Sequence, residues 1–253
     1  MILGIMQPYF FPYIGYYQVI EAVDKYVLYD NLSFSKETWI NRNRLLAKNG
    51  SPFYMVVPIV GKRSAHQIRD VRIADQKPWR RKLLASLHYH YKKAPFFDET
   101  YSIVERTIHL PTDSLAELNA HSIISIAGHL DIPTTITSSS HEYDDLEDKL
   151  ADESNYVTLF PHFTSMPIRK VLRILEVCRI EKATQFVNAP GGQTLYSRAE
   201  FAAQGVDLKF VNPLEYVYQQ HGTAFFRDLS IVDVLMNCGK ARTSDLVRSY
   251  KLS

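Results

Sequence analysis

The chain has 253 residues, of which 46% are hydrophobic and 22% are charged, and its formal net charge is +2. This composition is that of a globular protein and excludes a disordered chain. Because basic and acidic residues are interspersed and no long basic block occurs, the sequence also lacks the charge pattern of a nucleic-acid-binding protein.

The N-terminal elements predict a βαβ unit. A buried strand is expected over residues 2–6, a short helix over 18–23 and a second buried strand over 26–29. Two strands joined by a helical crossover run parallel, so their carboxyl ends meet at one edge of the sheet. Gln7 and Asp30 follow these two strands, at the edge where open α/β sheets bind ligands. We therefore take both as candidate catalytic residues.

The loop over residues 7–17 is rich in aromatic side chains. Pro8 and Pro12 restrict its backbone, Gly15 permits close approach of another group, and the helix that follows offers free N–H groups to an anion. Either the loop walls a substrate site, or it is an aromatic core loop with a tight turn, which is the commoner use of such residues. The predicted substrate-binding residues here are Tyr9, Phe11, Tyr13, Gly15, Tyr16 and Tyr17.

A second polar segment covers residues 36–44. Two guanidinium groups and two amides occur within residues 41–44, and arginine binds carboxylate or phosphate through paired hydrogen bonds. The alternative is a solvated, charged strand. The predicted substrate-binding residues of this segment are Lys36, Trp39, Asn41, Arg42, Asn43 and Arg44.

The remaining elements follow in chain order. Residues 32–75 are expected to be a β-rich insertion, because Asn49-Gly50 is a hairpin signal and short apolar runs flank it. Helices are predicted over 78–92, 97–108 and 115–129, a strand over 134–137, a mobile acidic loop over 138–152, a helix over 168–178, a strand over 185–188, a helix over 197–204, a strand over 208–211, and helices over 231–236 and 244–250.

Alternating strands and helices predict a three-layer α/β fold with a mostly parallel sheet. We expect one domain over residues 1–253, with residues 78–130 as a candidate helical sub-lobe.

Three further segments have a functional and a structural interpretation. Gly191 and Gly192 precede a helix and could admit a ligand together with Tyr196, or they form a plain turn. Lys92 and Lys93 end a helix, where its dipole favours cations, or they bind a ligand. Ser230 with Asp233 resembles a helix N-cap motif, with a ligand role for Asp233 as the alternative.

Several kinds of chemistry find no support. The nine histidines form no HExxH or paired Cys/His motif, so no metal site is predicted. No GxSxG occurs, and Cys178 and Cys238 lack a neighbouring base, so they are interpreted as free thiols of a reducing compartment. The apolar N-terminus lacks a basic leader region and no run reaches about 18 apolar residues, so we expect a cytoplasmic protein without a membrane span.

The strings at residues 7–16, 29–30 and 39–44 resemble those of the WbqC-like family, and the similarity continues at 91–95, 191–196 and 229–233. The resemblance implies a role in surface-polysaccharide (O-antigen, lipopolysaccharide) biosynthesis, with transfer of glycine to an amino sugar. A more distant likeness is to the nucleotidyltransferase-like or Rossmann-like α/β fold. In enzymes of the nucleotidyltransferase type two histidines of the first turn bind phosphate, and Tyr13 and Tyr16 occupy the matching positions of this chain.

The leading hypothesis is an enzyme that attaches an amino acid, such as glycine, to an amino sugar or sugar nucleotide. Asp30 is the candidate general base, Gln7 positions the amine, and Arg42 and Arg44 clamp anionic groups. Activation would come from ATP with Mg²⁺ or from a charged carrier. The alternatives are a nucleotidyltransferase acting on a small molecule and a non-catalytic sugar-nucleotide-binding protein, and oligomerisation is left open.

Overall fold

The computed structural model describes residues 1–35, 38–61 and 67–253. Its strands are β1 (Ile2–Met6), β2 (Lys25–Leu28), β3 (Arg42–Leu46), β4 (Pro52–Val56), β5 (Thr135–Thr137), β6 (Gln185–Asn188), β7 (Asp207–Pro213) and β8 (Tyr250–Leu252). Its helices are α1 (Ile14–Glu21), α2 (Trp79–Tyr91), α3 (Phe97–Ile108), α4 (Leu115–His129), α5 (Asp144–Leu150), α6 (Tyr156–Leu159), α7 (Arg169–Ile180), α8 (Arg198–Ala203) and α9 (Ile231–Val247).

A six-stranded sheet forms the centre of the fold, in the order β5-β2-β1-β6-β7-β8. The first five strands are parallel, and β8 runs antiparallel to β7 at one edge. Leu3 lies opposite Lys25 and Met6 opposite Leu28, so β1, α1 and β2 form the predicted parallel unit. The α/β class with a mostly parallel sheet is confirmed.

The sheet separates two hydrophobic cores because side chains alternate along each strand. Tyr26 and Leu28 face the first core, which α1, α2, α3, α4 and α9 cover. Val27 and Tyr29 face the second core, covered by α5, α6, α7 and α8. Helices therefore lie on both faces of the sheet, giving three layers.

A separate antiparallel hairpin, β3 with β4, lies within residues 32–75. Gly50 in its turn has φ +80°, a conformation that glycine adopts readily, as the Asn49-Gly50 pattern predicts. Near Val71 and Ile73 the chain forms single bridges, Ile59 to Ile73 and Arg72 to Ser114, instead of a continuous strand.

Two predicted segments are corrected. Residues 138–152, expected to be a mobile loop, contain a 3₁₀ turn and α5, because Tyr143, Leu146 and Leu150 pack into the second core. The helix predicted over 244–250 ends at Val247, and Tyr250 is the first residue of β8. α9 is interrupted at Gly239 (φ +69°), where a Cβ atom would lie 2.6 Å from the Phe96 ring.

Within these described ranges, none of the helices is long and apolar enough to cross a membrane. Both cysteines are free thiols, with Cys178 buried and Cys238 half-buried.

Candidate functional site

A cleft with a volume of about 980 Å³ opens at the carboxyl ends of three neighbouring strands. Met6 and Gln7 line it from the end of β1, Tyr29 and Asn31 follow β2, and Asn188 ends β6. β1 and β6 are the central pair from which the strand order extends outward in both directions. Such a topological switch point is the usual ligand-binding crevice of an open α/β sheet.

The opposite wall of the cleft is charged. α7 supplies three cations, Arg169, Lys170 and Arg173, and α5 faces them with Asp144, Glu147 and Asp148. Arg69 adds a fourth cation. The cleft is therefore lined on one side by residues at the ends of strands and on the opposite wall by cationic and acidic side chains that face one another.

The N-terminus of α7 has the composition of an anion site. A helix N-terminus is partially positive, so acidic residues usually occupy the first turn. The first turn of α7 has none and begins with Arg169 and Lys170, and Ile168 makes no side-chain capping bond. Within the described part of the chain Lys170 forms no ion pair, and Arg169 Nη2 lies 3.8 Å from Glu147 Oε2. Arg169 and Lys170 therefore add positive charge to the positive end of the helix, a combination that suits an anion.

A buried ion pair forms the back of the cleft. Arg173 donates through Nε and Nη2 to the two carboxylate oxygens of Glu147, and the Tyr29 hydroxyl donates to Glu147 Oε1 at 2.6 Å. Burial raises the pKa of Tyr29, so its hydroxyl stays protonated as a donor. Burial alone would lower the pKa of Arg173, but its bonds to Glu147 raise it above the usual value. Tyr29, Glu147 and Arg173 therefore serve as hydrogen-bond partners for one another and fix the back wall of the cleft.

Arg69 forms a second, more open link. Its Nη1 lies 2.6 Å from Asp144 Oδ1, its Nε donates to Gln67, and Asn31 Nδ2 donates to the same Asp144 oxygen at 3.1 Å. Burial would raise the pKa of Asp144, but the hydrogen bonds from Arg69, His141 and Asn31 lower it overall. Asp144 is therefore ionised at neutral pH and holds Arg69 at the cleft.

Three of the predicted site residues, Gln7, Tyr9 and Tyr196, line this cleft. The Tyr16 hydroxyl donates to the Gln7 carbonyl at 2.8 Å, so Tyr16 fixes the backbone of Gln7 from within α1. Burial raises the pKa of Tyr9 and Tyr196. Both phenols are neutral hydrogen-bonding groups in the cleft.

The aromatic loop and the hairpin meet at a junction that we call the loop–hairpin junction, residues 10–13 and 39–44. Asn43 Nδ2 donates to the carbonyls of Phe10 (3.1 Å) and Phe11 (2.7 Å), and Ser230 Oγ donates to Phe11 as well. Phe11 is fully buried and has φ +40°, a left-handed conformation that costs a non-glycine residue on the order of 1–3 kcal/mol. The amide of Asn43 helps to hold this strained backbone.

The other polar residues of the junction contact the protein itself. The Arg42 guanidinium lies over the Tyr54 ring at 4.8 Å, and that of Arg44 lies over the Trp39 ring at 5.5 Å. Asn41 Nδ2 donates to the Val57 carbonyl. None of Trp39, Asn41, Arg42 and Arg44 lines the cleft, so the structure does not bring the predicted anion clamp to it.

Asp30 lies on the other side of the β2 end from the cleft. Consecutive residues of an extended segment point in opposite directions, and Tyr29 and Asn31 occupy the cleft side. Asp30 is 3% exposed, accepts from Ser140 N–H and Oγ–H, and lines a smaller cavity. The structure thus separates the two candidate catalytic residues, Gln7 and Asp30, into adjacent cavities.

The remaining predicted residues support the backbone. Tyr17 is fully buried in the first core, and the Tyr13 ring covers Gly15, where a Cβ atom would lie 2.4 Å from it. Burial, and then the charge of Asp228, raises the pKa of Tyr13 to about 12.

Beyond α7, Gly192 admits the Asn188 side chain, which lines the cleft, while Gly191 faces open space. Lys36 lies outside the described residues.

The family model of the WbqC-like protein family matches residues 7–245. The chain belongs to the WbqC-like protein family. It is also 26% identical over 249 residues to the "Uncharacterized protein Rv1507c" of Mycobacterium tuberculosis, an alignment that covers 97% of both chains. No solved structure matches the chain.

Two sequence motifs of this WbqC-like chain lie at helix ends, Ser230 with Asp233 and Lys92 with Lys93. Ser230 caps α9 by accepting from Val232 N–H, as predicted. The Asp233 carboxylate does not return to Ser230 and instead accepts from the Tyr91 and Tyr218 hydroxyls in the protein interior. Lys92 and Lys93 are exposed just after α2.

The charged wall of the cleft was not predicted from the sequence. The residues concerned are Arg69, Asp144, Glu147, Asp148, Arg169, Lys170 and Arg173. One signal was present: Arg169-Lys170 comes directly after Pro167-Ile168 and opens an apolar helix, a place where acidic residues are the ordinary choice. The ion pairs from α5 had no such signal, because the polar and acidic composition of residues 138–152 predicts a loop.

Proposed function

We propose that this WbqC-like chain is a cytoplasmic enzyme of surface-polysaccharide biosynthesis that attaches an amino acid such as glycine to the amine of a sugar nucleotide. The observation that supports it is the cleft at the switch point, with an uncapped, cationic helix N-terminus on its wall. Counted along the chain, the six strands of the sheet have the order 3-2-1-4-5-6, which is that of dinucleotide-binding Rossmann folds. This order favours the Rossmann-like interpretation.

Each part of a sugar nucleotide has a partner in the cleft. The diphosphate would lie at the N-terminus of α7, between Arg169 and Lys170, with Arg69 as a third cation. Tyr9 and Tyr196 offer flat, neutral phenols to the sugar or the base, and Gln7 offers an amide at the end of β1. Gln7 is thus retained as a positioning group, and Arg42 and Arg44 have no part.

Amide formation requires an activated amino acid. The sugar amine attacks the carboxyl carbon, a C–N bond forms, the bond to the leaving group breaks, and the amine nitrogen loses a proton. ATP would supply activation as an acyl phosphate or acyl adenylate, and a carrier ester is the alternative. The described residues contain no cluster of three or more His, Cys, Asp or Glu for a protein-held metal. Nucleotide-bound Mg²⁺ needs only one or two protein carboxylates, and Asp144 and Asp148 line the cleft.

The test is incubation with ATP, Mg²⁺, labelled glycine and a panel of amino-sugar nucleotides, followed by mass spectrometry. We expect a product heavier than the acceptor by one glycyl group. Pyrophosphate release without that product would support nucleotidyl transfer instead. Binding without any turnover would support a non-catalytic sugar-nucleotide-binding protein.

The cleft assignment is tested with Lys170→Ala and Arg169→Ala. Each should weaken binding of the sugar nucleotide about 10-fold, because one charge contact to a phosphate is lost. Lys93→Ala, which changes another exposed lysine after α2, is the matched control and should bind as the wild type does. If the wild type and the three variants bind the sugar nucleotide equally in titration calorimetry, the diphosphate does not lie at the N-terminus of α7.

A further inference from the structure

The β3–β4 hairpin presents one side to solvent. Arg42 lies opposite Val56 and Arg44 opposite Tyr54 in the antiparallel register, so these four side chains project from the same side of the hairpin. The Arg44 guanidinium lies over the Trp39 ring, which extends this side. We call these five residues the hairpin face. The alternate side chains of β4 point the other way and pack against the first core.

The apolar part of the hairpin face is large and accessible. Tyr54 is 48% exposed, Val56 46% and Trp39 40%. The two guanidinium groups lie between and over these side chains, at 4.8 Å from the Tyr54 ring for Arg42 and 5.5 Å from the Trp39 ring for Arg44. Exposed apolar side chains that occur singly are ordinary, whereas an exposed group of them bounded by polar groups marks an interaction surface.

The charge of the hairpin has one sign. Residues 38–61 contain three cations, Arg42, Arg44 and Lys48, and no Asp or Glu, although Glu37 precedes this range. Arg44 forms no ion pair within the part of the chain that the structure describes. Ser230 N–H donates to the Arg44 carbonyl, so residues 227–229 adjoin the hairpin, and they contain one cation and one acid. A partner of complementary charge is therefore anionic.

Aromatic rings beside cations suit two anionic partners, a single-stranded nucleic acid and the surface of an anionic bilayer. A nucleic acid stacks its bases on open rings, but guanidinium groups already cover one side of the Tyr54 and Trp39 rings. The exposed Val56 has no part in stacking. Trp, Tyr and an aliphatic side chain with interleaved arginines are instead the composition of a surface that lies at the boundary of head groups and acyl chains.

We propose that the hairpin face binds this protein to the surface of an anionic phospholipid bilayer. Its three apolar side chains enter the boundary between head groups and acyl chains, and its two guanidinium groups contact the lipid phosphates. Phe10 N–H donates to the Trp39 carbonyl and Tyr9 lines the cleft, so the loop over residues 7–17 connects the hairpin face with the cleft. Bilayer binding does not depend on which reaction the cleft performs.

Tryptophan fluorescence with co-sedimentation tests the proposal. The chain has two tryptophans, and Trp79 is 6% exposed, so a change of emission on vesicle binding reports Trp39. We expect the protein to co-sediment with vesicles that contain phosphatidylglycerol, with a blue shift of emission, and to bind vesicles of phosphatidylcholine alone far more weakly. Arg44→Ala should weaken binding about 5-fold, because one cation near the anionic surface is lost.

Three outcomes of this experiment would overturn the proposal. The first is the absence of co-sedimentation with the anionic vesicles at low salt. The second is co-sedimentation without the blue shift, which would place another surface on the bilayer. The third is binding of a single-stranded RNA oligonucleotide by a protein that ignores the vesicles, which would assign the hairpin face to nucleic acid.

The decisive variant is Val56→Asp, which places a carboxylate at the centre of the hairpin face. It should weaken binding to the anionic vesicles at least about 10-fold, since an apolar contact is lost and a repulsive charge is added. Val157→Asp is the matched control, because Val157 is 77% exposed on α6, which covers the second core on the other side of the sheet. It changes the net charge equally and should bind as the wild type does. Equal losses in both variants would contradict the assignment.

Trp39→Phe covers the case in which Val56→Asp does not fold. This variant keeps an aromatic ring under the Arg44 guanidinium, so it should still co-sediment with the anionic vesicles. The blue shift should disappear, because Trp79 is its only remaining tryptophan. A blue shift that persists in Trp39→Phe would mean that Trp39 is not at the bilayer, and the hairpin face would lose its assignment.

Discussion

The loop–hairpin junction and the switch-point cleft use polar residues in opposite ways. In the junction, Asn41 and Asn43 donate to backbone carbonyls, and the guanidinium groups of Arg42 and Arg44 lie over aromatic rings. In the cleft, Lys170 and Asp148 face an open volume of about 980 Å³. The junction uses its polar groups to hold an irregular backbone, whereas these two charged groups of the cleft form no ion pair among the described residues.

This difference teaches that a dense polar string is weak evidence for a binding site. A buried loop carries carbonyl groups that need donors, and asparagine supplies them from a neighbouring strand. Such residues are as constrained as a catalytic group. The distinguishing property is whether the protein itself provides the partner, and that property is visible only after folding.

The largest effect is expected for a variant of the buried ion pair, because this part of the cleft also stabilises the fold. Glu147→Gln removes the charge opposite Arg173 and should lower the free energy of unfolding by about 3 kcal/mol, because a buried guanidinium loses its partner. Urea unfolding measures it. Asp148→Asn, on the exposed side of the same helix, should change stability by less than about 0.5 kcal/mol. Equal effects of the two variants would contradict this division of the wall.

The next effect is in the junction. Asn43→Ala leaves the Phe10 and Phe11 carbonyls without this donor and should lower the free energy of unfolding by about 2 kcal/mol. Because Asn43 does not contact the cleft, the folded variant should bind the sugar nucleotide as the wild type does. A loss of nucleotide affinity without a loss of stability would return Asn43 to the role of a substrate-binding residue.

The sequence was sufficient for most of the fold. An apolar run predicted β1 with its observed bounds, and the predicted bounds of β6, α3 and α4 match the structure as well. It failed where local polarity hid buried side chains: α5 follows three serines and five acidic residues lie within 142–148, yet Leu146 and Leu150 pack against α7 through the second core. Tertiary packing decided that segment.

The sequence predicted where the site lies better than it predicted which residues form it. Gln7 reached the cleft because the carboxyl end of a parallel strand must face the ligand edge of the sheet. Arg69 and Arg173 could not be found from their neighbours in sequence, because their partners lie 75 and 26 residues away. Asp30 shows the limit of strand-end reasoning, since neighbouring residues 29 and 30 face different cavities.

A smaller effect separates the two sets of arginines. Arg44→Ala removes the stacking on Trp39 and should lower the free energy of unfolding by about 0.5–1 kcal/mol, since the Trp39 side chain is partly exposed. Binding of the sugar nucleotide should not change. Arg169→Ala is the matched comparison from the cleft, and it should show the opposite result. If Arg44→Ala weakens nucleotide binding as strongly as Arg169→Ala does, the junction contributes to the site after all.

The smallest effect is the pH dependence of the Arg69–Asp144 link. Because the folded state holds the pKa of Asp144 below its ordinary value of 3.8, the link stabilises the protein above that pH, and the contribution is lost as the pH falls further. The Asp144 side chain is 41% exposed, so solvent screening keeps the contribution below about 1 kcal/mol. Asp144→Asn should therefore be slightly less stable than the wild type at pH 6, and the difference should shrink at pH 3. The deficit of Asn43→Ala, which involves uncharged groups only, should be the same at both values. A pH-dependent deficit for Asn43→Ala, or a constant one for Asp144→Asn, would mean that the charges of the cleft and the amides of the junction are not separable in the way the structure indicates.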